Sequence, residues 1–171
     1  SLSGKSSSIE NEIIVIRQFL EFLKYTGESV AIPSIPKVHD DYIPYLFSDT
    51  ELIGIFESAD NIVQKDAKSD PYLVIEFPVI LRLLYSCGLR IGETVKISMN
   101  DVDLDDGILR LINTKGNKQR LVPMSPSMAD ILYKYCMAMD LIGSKNIWLF
   151  PSSKNKGHIS ARAVKYRFEH I

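Results

Sequence analysis

Leu84-Tyr85-Ser86-Cys87-Gly88-Leu89-Arg90-Ile91-Gly92-Glu93 is the stretch on which the reading of this chain turns. The apolar run from Tyr72 to Cys87 reads as a buried helix, and Gly88 ends it as a C-cap. Pro78 inside the run predicts a kink or a helix start nearby. Ile91 to Ile97 reads as a short following helix. Arg90 then stands on a turn beside a core element, a rigid platform for a functional group. Its guanidinium offers a planar fork of donors that fits two phosphate oxygens. Glu93 follows three residues later, a spacing that lets it face the same side and hold the arginine. Taken alone, the pair reads as a surface ion pair worth about 0–1 kcal/mol.

Downstream the period changes. Asp105-Asp106-Gly107 marks a turn and Ile108-Leu109-Arg110-Leu111-Ile112 a strand. Lys115-Gly116-Asn117-Lys118 is a tight turn, and Arg120-Leu121-Val122-Pro123 a returning strand. A hairpin tip with three cations could reach a DNA groove, and a lysine there could donate a proton to a leaving oxygen. A soluble hairpin is the bland alternative, because turn tips favour Gly, Asn and Lys. The tip is not a phosphate-cradling loop of the G-x-x-x-x-G-K-[ST] type. Ser125-Pro126 starts a further helix, with Ser as N-cap and Pro in the first turn, running to about Leu141 with Gly143 as its stop. Trp148-Leu149-Phe150-Pro151 is a short apolar segment, and Ser160 caps a last helix from Ala161 towards Ile171.

Upstream, Ile9 to Tyr25 reads as an amphipathic helix, with Ile13, Ile16, Leu20 and Leu23 in one stripe that Phe19 and Phe22 widen. Gly27 supplies its stop. The prolines of Ile32-Pro33-Ser34-Ile35-Pro36-Lys37 favour an extended linker, so a domain boundary is expected between residues 28 and 43. One helix cannot build a core. Ile9–Tyr25 should therefore be the last helix of an N-terminal domain not included here, or pack on the following one. Ser48-Asp49-Thr50-Glu51 is a capping-box pattern ahead of Leu52, Ile53, Ile55 and Phe56. Gln64 to Pro71 is a polar connection. The order is helices, one small antiparallel sheet, then helices: a mainly α fold of the α+β kind with two or three strands.

The 171 residues suit one domain plus an appendage, and a hydrophobic content of 46% is ordinary for a soluble protein. The net charge of -1 hides an asymmetry: residues 1–105 carry 9 Lys/Arg against 17 Asp/Glu, residues 106–171 carry 11 against 4. A phosphate polymer is expected to meet the second part, although a chance excess of lysine on a solvated face would read the same. Cys87 and Cys136, with no C-x-x-C, indicate neither a disulfide framework nor a zinc site and fit a reducing cytoplasm. No stretch approaches the roughly 18 apolar residues of a membrane span. The start has no signal-peptide core and no initiating Met, so a trimmed fragment is expected.

Together, the arginine turn and the hairpin carry a resemblance. Cys87-Gly88-Leu89-Arg90-Ile91-Gly92-Glu93, Ile97, Asp101-Val102-Asp103, the strand from Ile108, Lys115-Gly116-Asn117-Lys118-Gln119-Arg120 and Val122-Pro123 follow one another in this order. They resemble the tyrosine recombinase (phage integrase, Xer-like) pattern T-G-L-R-x-S-E-L, L-x-x-x-D-I-D, strand, G-K-G-x-K-x-R-x-V-P, with about one extra residue before Lys115. More weakly, residues 1–27 look like the last helix of the family's N-terminal core-binding, SAM-like domain. Residues 28–43 look like its linker, and residues 44–171 like the first part of its catalytic domain, which would be of the DNA breaking-rejoining enzyme fold and incomplete at its C-terminus.

That resemblance implies a site-specific recombinase that cuts and rejoins duplex DNA through a 3′-phosphotyrosyl link, in DNA integration or recombination, with no metal and no other cofactor. Such enzymes neutralise phosphorane charge with arginines. By motif, Arg90 matches the first catalytic arginine, Lys115 the hairpin lysine that protonates the leaving 5′-oxygen, and Glu93 a supporting acidic position. Lys118, Arg120, Lys154, Lys156 and Arg162 are the further cations expected to meet DNA. Implied partners are double-stranded DNA and sister protomers in a synaptic tetramer, without a membrane; a mobile element fits as the source. The family's H-x-x-R and nucleophilic Tyr have no match: Ile159-Ser160-Ala161 follows His158, His170 stands one residue from the end, and Tyr166 reads as a helix residue. The piece is therefore expected to lack the nucleophile and to be inactive alone. Gly92, Thr94 and Thr114 are tolerable departures. A non-catalytic DNA-binding or regulatory remnant, a type IB topoisomerase-like piece and a helical protein-interaction module remain alternatives.

Overall fold

A computed structural model describes residues 6–35, 43–63, 70–112, 119–143, 148–154 and 156–171, with side chains from residue 9. Lys115 and Lys118 at the hairpin tip lie outside the described residues, as does most of the connection from Gln64. The chain forms two compact units, residues 1–46 and 47–171.

The first unit carries α1 (Ser6–Tyr25). Gly27, at φ +97, turns the chain out of the helix, and the Glu28 N–H reaches back to the Leu23 carbonyl at 3.0 Å. That conformation favours glycine because a Cβ would crowd the backbone. The chain then runs extended to Ile35, and Arg17 donates to the Pro33 carbonyl. The apolar stripe is not enclosed within this unit: Ile16, Phe19 and Phe22 are all exposed.

The second unit begins with α2 (Asp49–Asp60). The expected capping box is formed: the Ser48 N–H donates to Glu51 Oε2 at 2.8 Å, and the Ser48 hydroxyl accepts from the Glu51 N–H. Next comes α3 (Leu73–Cys87), a single helix that keeps Pro78 inside it rather than starting there. Most of its faces are buried, because α2, α4 (Ile91–Thr94), α5 (Pro126–Ala138) and α6 (Ala161–Phe168) all touch it. Phe77, Ile80 and Leu83 from α3 meet Leu132 and Cys136 from α5, with Leu149, Phe150, Ile159 and Val164 completing the core.

The sheet has three antiparallel strands in the order β1 (Val102–Asp103), β2 (Ile108–Leu111), β3 (Arg120–Pro123). Register pairs Leu109 with Val122, Arg110 with Leu121 and Leu111 with Arg120. Leu109 and Leu111 point into the core and Arg110 out, as strand alternation requires. The two-residue β1 joins across Gly107, at φ +64.

Three helix ends fall earlier than the sequence predicts. The helix from Ile91 ends at Thr94 instead of Ile97: the chain tightens to three-residue bonds, Lys96 N–H to the Glu93 carbonyl at 3.1 Å and Ile97 N–H to the Thr94 carbonyl at 3.2 Å, and the free Ile97 carbonyl accepts from the Leu149 N–H at 2.9 Å. Val95 and Ile97 are buried there, while Lys96 between them stays exposed. The helix from Pro126 ends at Ala138 instead of Leu141. Asp140, at φ +51, makes the left-handed turn that Gly143 was expected to make, and the Leu141 N–H reaches the Cys136 carbonyl. Asp tolerates that region because its short polar side chain bonds locally. The last helix ends at Phe168 rather than reaching Ile171.

Candidate functional site

The site grows from the end of α3. Gly88 adopts φ +59, the left-handed C-cap that the sequence predicts. Leu89 then drops into the core, 6% exposed, and anchors the turn. Arg90 follows with extended backbone, and its side chain is 62% exposed. The buried Thr94 hydroxyl donates to the Arg90 carbonyl at 3.1 Å, so the backbone of the turn is held from below.

Glu93 holds Arg90 from the side. Arg90 Nη1 donates to Glu93 Oε1 at 2.8 Å, and the Arg90 N–H donates to Glu93 Oε2 at 3.2 Å. From β3, Arg120 Nη2 reaches the same Oε2 at 2.9 Å. One carboxylate, only 11% exposed, thus ties the arginine turn to the sheet. Partial burial pushes the Glu93 carboxyl up. The hydrogen bonds from the Arg90 side chain and backbone, with the charges of Arg120 and Arg90, outweigh it, and the group sits below its ordinary range. It is therefore ionised at neutral pH, and Arg90 presents its outer face to solvent already oriented.

Arg90 borders an open cleft of about 760 Å³ whose other walls include Lys96, Asp101, Arg110, Ile112 and Trp148. Such a volume lies within the usual range of ligand sites, roughly 300–1,000 Å³. Sequence reasoning did not single out Lys96 or Arg110. Strand alternation was the available signal for Arg110, which has to point away from the core if Leu109 and Leu111 point in. Trp148 comes to this cleft through its bridge to Ser98, and its ring stands edge-on to His158 at 5.0 Å between centroids.

Lys154, Lys156 and Arg162 are not among the residues that line this cleft. Lys154 and Lys156 are exposed on the segment between Pro151 and His158. Asp70 ties that segment down, accepting from the Ser152 hydroxyl at 2.9 Å and the Ser153 N–H at 3.0 Å. Arg162 lies on α6 beside a separate apolar groove with Phe56 and Phe168. Tyr166 is a helix residue, as read from the sequence; it is exposed, its ring stacks on His170 at 4.1 Å, and it does not line the Arg90 cleft.

Residues 57–171 match the Phage integrase family, and with most of its length matched the chain belongs to that family. It is 27% identical over 176 residues to the tyrosine recombinase XerC of Staphylococcus carnosus, covering 95% of this chain and 53% of the relative. It is 30% identical over 161 residues to the tyrosine recombinase XerD of Rhizobium meliloti, covering 91% and 50%. The chain thus spans about half the length of the curated relatives it matches. Among solved structures, the XerA recombinase aligns with a TM-score of 0.60 at 21% identity, over 98% of this chain and 54% of that one. A lambda integrase tetramer bound to a Holliday junction aligns at 0.70 and 15% identity, over 98% and 47%. At these identities the likeness is one of fold: mostly helical with a small antiparallel sheet. No helix among the described residues is long and apolar enough to cross a membrane.

Proposed function

We propose that these residues form the phosphate-binding part of a site-specific DNA recombinase. The whole protein would cut and rejoin duplex DNA through a 3′-phosphotyrosyl intermediate, as sister protomers assembled on the DNA in a tetramer. Arg90 would take two oxygens of the scissile phosphate and stabilise the charge that builds up on them. Lys115 would donate a proton to the leaving 5′-oxygen from the hairpin tip. Glu93 would position Arg90 without touching DNA. Lys118, Arg120, Lys154, Lys156 and Arg162 would add contacts to the backbone, Arg120 while keeping its bond to Glu93. The observation that carries this reading is the exposed Arg90 held by a sheltered Glu93 at the rim of an open cleft, inside the stretch that matches the family.

In this proposal the 171 residues do not cleave DNA by themselves. No tyrosine is among the described residues that line the Arg90 cleft. The test is a suicide duplex that traps a covalent adduct, run beside a gel shift over a salt series. The expected result is binding that weakens steeply with salt and no adduct. A covalent adduct would overturn the inactivity, and no affinity for duplex DNA at low salt would overturn the DNA-binding role. Sequencing the gene past Ile171 tests the whole protein: an H-x-x-R followed by a Tyr supports an active recombinase, and their absence supports a non-catalytic DNA-binding remnant.

A further inference from the structure

Two cations in the Arg90 cleft have no counter-ion among the described residues. Lys96 is exposed just past α4, and Arg110 is exposed at the middle of β2, between two leucines that point inward. Both line the cleft, and neither makes an ion pair or a side-chain hydrogen bond among the described residues. Two carboxylates also border it, Glu93 and Asp101. Glu93 is already shared between Arg90 and Arg120. Asp101 is the other carboxylate among the described residues that line this cleft, and the acidic turn Asp103 to Asp106 stands beyond Arg110, so the free cationic groups of the cleft are Lys96, the outer face of Arg90 and the cleft-facing side of Arg110. Trp148 adds an indole face to the same wall.

A cleft of this kind is wider than one phosphate needs. Unpaired cations spaced along a groove attract a polyanion, because each phosphate contact releases condensed counter-ions. An aromatic wall beside them suits the sugar and base edges of a strand. We propose that Lys96 and Arg110 are DNA-strand contacts. They take phosphates flanking the one at Arg90, with Trp148 as the apolar wall of the same subsite. The inference rests on the reading of this chain as a DNA recombinase part, and it extends the DNA footprint across the outer face of β2. Arg110 also borders the acidic turn Asp103 to Asp106, which limits the footprint on that side through like-charge repulsion of phosphate.

Trp148 is the only tryptophan in the chain, so its emission reports on this cleft. The experiment titrates the 171-residue chain with a blunt double-stranded DNA oligonucleotide. It follows Trp148 emission and acrylamide quenching, with a gel shift of the same samples. Lys96→Gln, Arg110→Gln and the double variant are compared with Lys134→Gln, a surface position on α5 outside the cleft, after circular dichroism has shown the helical content unchanged. The expected result is a change in Trp148 emission on binding and shielding from acrylamide. Each cleft variant should weaken binding several-fold and lower the slope of log K against log salt by about 0.9, with Lys134→Gln close to the parent. DNA that binds in the gel shift without altering Trp148 emission, and equally well in the double variant, overturns this inference and leaves the DNA-binding role standing. No binding in either assay overturns that role as well.

Discussion

Glu93 grips Arg90 twice, with Oε1 on the guanidinium at 2.8 Å and Oε2 on the backbone N–H at 3.2 Å. The second contact fixes where the carboxylate sits, and the first fixes where the guanidinium points. An arginine held this way gives up less side-chain freedom when an anion arrives, which is the physical content of preorganisation. Arg120 adds a third contact from another element, at 2.9 Å.

A double-mutant cycle on Glu93→Gln and Arg120→Gln, read by urea unfolding, should give a coupling of about 0.5 kcal/mol. Arg120 is 39% exposed and solvent screens the pair, so a larger value is not expected. Additive effects of the two substitutions would show that the bridge does not form in solution.

Gly88 has open space where a Cβ would stand, yet its φ is +59. Gly88→Ala should therefore cost about 1–2 kcal/mol from backbone strain alone. Gly88→Asn should cost less, because Asn tolerates the left-handed region. Equal losses for the two variants would point to a steric cause instead.

Glu76 is fully buried on α3, and neither carboxylate oxygen has a partner among the described residues. Burial, and then the nearby Asp70 charge, push its carboxyl up to about 8 from an ordinary 4.5. The native state thus keeps a proton that the unfolded chain releases, so stability is greatest below pH 4.5 and declines as pH rises towards about 8. Glu76→Gln removes that decline. Urea melts at pH 5, 7 and 9 should show the variant's advantage growing up to about pH 8 and then levelling. An advantage that does not change with pH would mean that Glu76 reaches water in solution.

Tyr135 donates its hydroxyl to the Leu149 carbonyl at 2.8 Å inside the core. Tyr135→Phe should cost about 1–3 kcal/mol, because the buried carbonyl loses its partner. Its neighbour Trp148 should report the loosening as a shift in emission. A stability within a few tenths of a kcal/mol of the parent would place a water at that carbonyl.

Much of this molecule is governed by local rules that are legible in the sequence. Ser48, Ser125 and Ser160 each cap a helix where they were expected to, because a cap needs only a side-chain oxygen and an N–H two or three residues on. The Gly88 turn and the Arg90–Glu93 pair are local in the same sense, their geometry following from a left-handed residue and a three-residue spacing. The α5 stop was misplaced because Asp140 took a left-handed conformation that a glycine usually advertises.

Other features depend on partners far apart in the chain. The Ile97 carbonyl finds its donor in the Leu149 N–H, some fifty residues along the chain. Glu76 lies among apolar residues and is buried with them, since four helices close round α3. Arg120 meets Glu93 only because β-register sets Leu111 opposite Arg120 beside the arginine turn. Lys96, Arg110 and Trp148 share a cleft for the same kind of reason. The sequence by itself determined that an oriented arginine stands on a glycine turn. The tertiary structure decided what surrounds it, because hydrogen bonds between distant segments and the burial of side chains exist only once the chain has closed on itself.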